Sequence, residues 1–152
     1  MKKRHITSIL FVLVIASSCT FTNRESGMNV IEFINEPSFT LSKKALRYAI
    51  ENKADSLLNL FRNDVAKNIS NEQMLVIAKE AQTTAATSTL PNDSTILVSR
   101  TKIKSITGEK INLTYTFPFK NTEKGSIKYI EIGVENDEVV SFFITQKEIK
   151  VF

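Results

Sequence analysis

Apolar residues recur at helical spacing along the middle of the chain. Intervals of three or four residues separate Leu46, Ile50, Ala54, Leu57, Phe61 and Val65. This spacing places them on one face of a helix, which is the pattern of an amphipathic helix that packs on a core. The polar pair Asn52 and Lys53 indicates a break. We therefore expect two helices, at about 41–52 and 54–67.

A third helix is indicated by its start signal. Ser70 is followed three residues later by Gln73, and this pair forms a capping box in which each side chain bonds the other residue's backbone N–H. The apolar face continues through Met74, Ile77 and Ala81. These features predict a helix at about 71–82.

The second half of the chain changes to the alternation of a β-strand. One face of the clearest segment would carry Ile111, Leu113, Tyr115, Phe117 and Phe119, because side chains in a strand alternate between the two faces. We expect four strands, at about 96–106, 110–120, 127–135 and 139–152. Their turns would lie at Thr107-Gly108, at 121–125 and at Asn136-Asp137.

Two irregularities accompany these strands. The apolar residues change parity within the third strand and again after Ile144, which predicts a bulge, a strong bend or a sheet covered on both faces. Pro118 lacks a backbone N–H, so it favours an edge position or a bulge.

Helices followed by strands make an α+β domain, with N-terminal helices packed on a four-stranded antiparallel meander. The stretches 44–61 and 70–75 resemble the helices of small bacterial proteins of the nuclear transport factor 2-like superfamily. That resemblance covers about residues 41–150 and implies a cystatin-like cone fold.

The segment 30–34 is apolar and ends before Pro37, and it fits a strand or a short helix equally well.

The N-terminus carries the parts of an export signal. Lys2, Lys3 and Arg4 precede an apolar run at 9–16, which is too short to span a bilayer. With Ala16 three residues before Cys19, the segment resembles a bacterial lipoprotein signal peptide ending in a lipobox, although leucine is commoner than alanine there. The alternative is a secretory signal cut near residue 18.

The lipobox resemblance implies three segments. Residues 1–18 would be the signal peptide, 19–40 the lipidated Cys19 with a polar tether, and 41–152 the α+β domain. Acylation of Cys19, for example with palmitate, would attach the protein to a membrane of the cell envelope. Because Thr20 rather than an aspartate follows Cys19, we expect the outer membrane in a Gram-negative organism. Because no acidic cluster follows Cys19, we expect the periplasmic face of that membrane.

Composition restricts the partners and the chemistry. The chain has 20 Lys and Arg and 16 Asp and Glu, and three of the basic residues precede Cys19, so the processed chain has a net charge near +1. Basic residues are dispersed, which gives no support for nucleic-acid binding. The single histidine, His5, lies in the signal, so His-based catalysis and His- or Cys-based zinc sites are excluded from the processed chain. We expect no metal and no cofactor.

The cone resemblance implies a pocket between sheet and helices. Its lining would come from Tyr115, Phe117 and Phe119, with hydroxyls from Tyr48 and Tyr129. The simpler alternative is that these aromatic rings fill the core. An enzyme of this kind would need a carboxylate base inside the cone, for which the sequence offers Asp55, Asp64 and Asp93. The spacing places Asp55 and Asp64 off the apolar stripe, and Asp93 is predicted to lie in a turn.

These observations favour a membrane-anchored envelope lipoprotein that acts as a non-catalytic binding or scaffolding module. Its partner would be a small hydrophobic ligand or an envelope protein. Two alternatives stay open: a small isomerase- or dehydratase-like enzyme with a buried carboxylate, and a protein–protein inhibitor or assembly factor that uses the outer face of the sheet.

Overall fold

The computed structural model of the chain describes residues 21–121 and 125–148. Its strands are β1 (Phe21–Asn29), β2 (Leu97–Ser105), β3 (Gly108–Asn121), β4 (Ser126–Glu135) and β5 (Glu138–Glu148). Four α-helices lie between β1 and β2: α1 (Pro37–Ile50), α2 (Ala54–Leu58), α3 (Asn63–Ala66) and α4 (Asn71–Ala86). Short 3-10 helices occupy Val30–Phe33 and Asp93–Thr95. No helix in this part of the chain is both long enough and apolar enough to cross a membrane.

The sheet has five antiparallel strands in the order β1-β2-β3-β4-β5. The prediction of four strands preceded by all the helices was therefore wrong, and the helices are an insertion after the first strand. β1 lies within the segment 19–40 that was expected to be a tether. Its residues are exposed except for half-buried Met28, and between Phe21 and Met28 none has a large apolar side chain. β1 therefore lacks the apolar alternation that marks a strand in sequence. Backbone pairing with β2 holds it instead.

α1 begins four residues earlier than predicted and buries a different face. Pro37 occupies the first turn, where its fixed φ and missing N–H suit a helix start. The buried residues are Ser38, Phe39, Ser42, Ala45 and Ala49, whereas the predicted face residues Leu46 and Ile50 are only half-buried. Mostly small side chains on this face let the helix lie close against β3, β4 and β5.

The predicted helix at 54–67 is interrupted. α2 ends at Leu58 and α3 starts at Asn63. Between them, the N–H of Val139 donates to the carbonyl of Leu60 at 3.0 Å, and the N–H of Arg62 donates to the carbonyl of Val139 at 2.9 Å. Pairing with β5 therefore replaces helical hydrogen bonds in this segment.

The predicted start of α4 is confirmed. The side chain of Ser70 accepts from the N–H of Gln73 at 3.1 Å, and the side chain of Gln73 accepts from the N–H of Ser70 at 2.8 Å. The helix continues to Ala86, four residues beyond the predicted end.

The predicted alternation of β3 is present at its centre, where Tyr115, Phe117 and Phe119 are each exposed by 1 % or less. Pro118 lies beyond the start of β2, because the β2–β3 register stops at Leu97 opposite Thr116. Its missing donor therefore costs no hydrogen bond to β2, and this part of β3 is locally an edge, as predicted.

The β4–β5 hairpin turns at Asn136 and Asp137, both with positive φ (51° and 59°). Such a turn matches the twist of a hairpin, so this predicted turn is confirmed. The register moves from Val134 opposite Val139 to Gly133 opposite Ser141. Val140 is left without a partner, which makes a β-bulge in β5. The parity change predicted after Ile144 involves residues 149–152, which lie outside the described residues.

Candidate functional site

Tyr115, Phe117 and Phe119 lie in a closely packed part of the core. The hydroxyl of Tyr115 is 2.7 Å from the Ser38 hydroxyl, and either oxygen can donate. The Tyr115 ring also lies 5.6 Å, centroid to centroid, from the Phe39 ring. Burial raises the pKa of the Tyr115 hydroxyl. These aromatic side chains belong to the buried hydrophobic core between the sheet and the helices.

The other two predicted lining residues lie elsewhere. Tyr48 is half-buried on α1, with Lys44 Nζ 5.8 Å from its ring centroid. Tyr129 is half-buried on β4 opposite Pro118. Since Pro118 alternates with the buried Phe117 and Phe119, Tyr129 lies on the face of the sheet away from the helices. The structure therefore does not bring the predicted tyrosines together, and Cys19 lies outside the described residues.

The three aspartates considered as bases are also outside the core. Asp55 and Asp64 are exposed. Asp93 accepts from Lys43 Nζ at 2.9 Å near the surface. None of them lies inside the space between sheet and helices, so the carboxylate hypothesis has no base among these residues. In the described ranges no three His, Cys, Asp or Glu side chains converge as a metal site would require.

A charged cluster joins the segment before α3 to the end of β4. Arg62 Nη1 donates to Glu135 Oε1 at 2.6 Å, and Arg62 Nε and Nη2 donate to the two carboxylate oxygens of Asp64 at 2.6 and 3.0 Å. Glu135 is a buried carboxylate, exposed by 8 %. The bond from Arg62 lowers the pKa of Asp64, and the bond to Asp64 raises the pKa of Arg62. Nothing in the spacing of these residues predicts the cluster.

The cluster lies beside a groove of about 700 Å³ between α4 and β5. α4 contributes Gln73, Val76 and Ile77, and β5 contributes the segment 140–143. Of the lining residues only Glu72 carries a charge; the apolar ones are Phe61, Val65, Ile69, Val76, Ile77, Val140, Phe142 and Phe143. The groove can therefore hold an apolar ligand, and its only hydroxyl groups are those of Ser70 and Ser141.

Two lining residues are unusually accessible. Val76 is 66 % exposed and Phe143 is 59 % exposed. Exposed apolar residues that cluster along one groove are typical of an interaction site, whereas single ones are ordinary. The sequence carried a weak signal of this groove: Val76 lies off the buried face of α4, which contains Met74, Ala78 and Ala81.

The groove runs along an edge of the sheet. β5 is the last strand, and in the described part of the chain only the segment at Phe61 pairs with its outer side, at Val139. Backbone groups of alternate residues point to opposite sides of a strand. After the Val140 bulge, the register with β4 directs the N–H and C=O groups of Phe142, Ile144 and Gln146 away from β4. The groove thus combines apolar side chains with backbone groups available for a further strand.

Comparisons with protein-family models, with curated proteins and with solved structures find no match for this chain. The groove, the edge strand and the N-terminal sequence are the features of the chain that bear on its function.

Proposed function

We propose that this protein is a membrane-anchored envelope lipoprotein whose domain binds an extended apolar segment of another envelope protein. The observation that carries the proposal is the juxtaposition of an apolar groove with the unpaired edge of β5. Such an edge binds a peptide by adding it as a further strand, with backbone hydrogen bonds for affinity and pockets for alternate side chains.

The groove suits side chains of that kind. Its walls are formed by aliphatic residues of α4 and by Phe142 and Phe143. A strand added beside Phe142 and Ile144 would direct every second side chain toward the helix layer and the others toward the outer face of the sheet. The partner segment is thus expected to alternate apolar residues with polar ones.

The walls are held in place before binding. Arg62 bonds the buried Glu135, and the backbone of Arg62 and Leu60 pairs with Val139 at one end of the groove. On the other side, the capping box at Ser70 secures the first turn of α4. A rigid groove favours affinity because little conformational entropy is lost on binding.

The anchoring part of the proposal depends on the sequence around Cys19. A signal segment that ends at a cysteine supports acylation there and a place in the cell envelope, with the periplasmic face of the outer membrane favoured. The intact mass of protein extracted from membranes tests this part. A mature chain that lacks a diacylglyceryl group on Cys19 would refute it.

The binding part is tested with defined peptides. The probes are synthetic eight-residue peptides in which valine alternates with threonine, and binding is followed by amide hydrogen exchange. We expect new protection at Phe142, Ile144 and Gln146, and we expect Val76→Lys to abolish it because the lysine places a charge in the groove. Leu97→Lys is the matched control, since Leu97 is an exposed apolar residue (47 %) on β2.

The outcome separates the proposal from its main alternative. Lauric acid serves as a small hydrophobic probe in the same experiment. Protection of the three β5 amides by the peptides but not by lauric acid supports strand addition. Protection by lauric acid alone, or by neither probe, contradicts it.

A further inference from the structure

The three-stranded end of the sheet formed by residues 21–25, 100–105 and 108–111 projects beyond β4. The β3–β4 register begins at Asn112 opposite Glu135, so residues 108–111 have no partner in β4. β1 and β2 continue beside them, with Phe21 opposite Lys104 and Ser105 opposite Gly108. We call this region, including the turn at 106–107, the projecting tip.

Apolar side chains are exposed at this tip. Ile106 in the turn is 81 % exposed, Phe21 is 69 % exposed, and Ile111 is 43 % exposed. Removal of such side chains from water is favourable. Their exposure on a region with no described packing partner indicates a surface that contacts something else.

Positive charge surrounds these side chains. The tip carries five basic residues, Arg24, Arg100, Lys102, Lys104 and Lys110, against two acidic ones, Glu25 and Glu109. Lys104 Nζ lies 3.5 Å from Glu109, and Lys110 Nζ lies 3.8 Å from Glu135. The side chains of Lys104 and Lys110 are 63 % and 62 % exposed. Exposed apolar residues with lysines around them suit the interface of an anionic bilayer, where the rings and aliphatic chains enter the acyl boundary and the ammonium groups meet phosphates.

The chain enters the domain at this same tip. Phe21 lies opposite Lys104, at the end of β1 nearest the β2–β3 turn. Cys19 is two residues earlier in the sequence, and two residues span at most about 7 Å. A membrane anchor on Cys19 would therefore hold the tip, rather than the other end of the sheet, at the bilayer surface.

We infer that the projecting tip is a membrane-binding surface that inserts Phe21 and Ile106 into the interface of an anionic bilayer. The orientation of the tip toward the membrane rests on the proposed function, in which Cys19 carries the anchor. The tip itself binds the bilayer without the anchor. It would place the domain directly on the bilayer, with the opposite end of the sheet farthest from it.

A chain without the anchor tests the surface alone. The buried apolar core lies entirely between Val30 and Phe142, so a chain that starts at Thr20 keeps all of it. Its probe is flotation with vesicles of 30 % phosphatidylglycerol and 70 % phosphatidylcholine. We expect Phe21→Ser/Ile106→Ser to lower the partition coefficient about tenfold or more, and each of Lys102→Gln and Lys104→Gln to lower it about fivefold at low salt.

The matched control is Leu90→Ser/Leu97→Ser. These leucines are 58 % and 47 % exposed, and they lie at the far end of the sheet: Leu97 is opposite Thr116, and residue 89 is opposite Lys120. We expect this variant to bind vesicles as the unchanged chain does. An equal loss in both double variants, or no loss in the tip variant, overturns the inference.

A second measurement uses the full chain reconstituted in the same vesicles. A single environment-sensitive fluorophore is attached at Ile106→Cys or at Leu90→Cys, and intact mass confirms one label per chain. Brominated lipids should quench the label at 106 and leave the label at 90 unquenched. Quenching of both labels or of neither contradicts the inference. Failure here leaves the mass of the anchor and the amide protection on β5 unchanged, so it is distinct from failure of the proposed function.

Discussion

The guanidinium of Arg62 lies 2.6 Å from the buried carboxylate of Glu135, although 73 residues separate the two in sequence. This bond ties the segment between α2 and α3 to the end of β4. It also places the only described basic group within 3 Å of Glu135, because Lys110 Nζ is farther away at 3.8 Å. The cost of burying the negative charge of Glu135 is therefore offset mainly by Arg62.

Removal of Arg62 should destabilise the domain. Arg62→Ala leaves Glu135 as a buried carboxylate without its close partner, and we expect the free energy of unfolding to fall by about 2–3 kcal/mol. Urea denaturation measures this change. The control is Lys53→Ala, which breaks an exposed pair with Glu51 and should change stability by less than about 1 kcal/mol. Equal effects of the two substitutions would contradict the role assigned to Arg62.

The Arg62–Asp64 pair should make stability fall in acid. Because the bond from Arg62 lowers the pKa of folded Asp64 below its ordinary value of 3.8, the carboxylate stabilises the fold above that value. This contribution is lost as the pH falls through the lower pKa of the folded state. We expect Asp64→Asn to be less stable than the unchanged chain at pH 6 and to converge with it below the folded pKa. Urea titrations from pH 2 to 6 measure the difference, and a gap that is constant over this range would disprove the assignment.

The Ser38–Tyr115 hydrogen bond should make the effects of substitutions at the two residues on the free energy of unfolding non-additive. Both groups are buried, so Tyr115→Phe and Ser38→Ala should each cost about 1–2 kcal/mol. A double-mutant cycle should give a coupling energy of about 1 kcal/mol, because the second substitution removes a partner that is already unpaired. Additive effects within experimental error would show that the bond contributes nothing.

Position 133 should require a residue without a side chain, because Ser141 on the neighbouring strand lies close to it. A Cβ at this position would collide with the Ser141 hydroxyl on β5. We expect Gly133→Ala to destabilise the domain by about 1 kcal/mol. In a Ser141→Ala background the same change should be neutral or stabilising, because the oxygen is gone and alanine restricts the unfolded chain more than glycine does. Thermal unfolding of the four variants measures both effects, and an equal cost in both backgrounds would refute the contact.

Local signals predicted the elements whose stability is local. The capping box at Ser70 and Gln73 marked the start of α4, and Asn136-Asp137 marked a hairpin. Both depend on hydrogen bonds and dihedral angles of residues close in sequence. Sequence also predicted the buried centre of β3, since alternation places Tyr115, Phe117 and Phe119 on one face.

Elements that depend on distant partners were missed. β1 is mostly polar and almost wholly exposed, and its backbone pairing with β2 makes it a strand. Phe61 continues a helical apolar pattern, yet a bridge to Val139 takes it out of the helix. The groove likewise could not be predicted, because its walls come from α4 and β5, which are far apart in the sequence.

The sequence by itself determined the α4 start, the centre of β3, the β4–β5 turn and the absence of histidine chemistry after residue 5, since each depends on residue types or on neighbours along the chain. Only the tertiary structure decided that the sheet has a fifth strand, that the Tyr115 hydroxyl meets Ser38 in the buried core and that Glu135 bonds Arg62. It also placed the apolar groove along β5 and the exposed Phe21 and Ile106 at one tip. These features arise from pairings across many residues, and the free energy of such pairings depends on packing and backbone hydrogen bonds that no local pattern records.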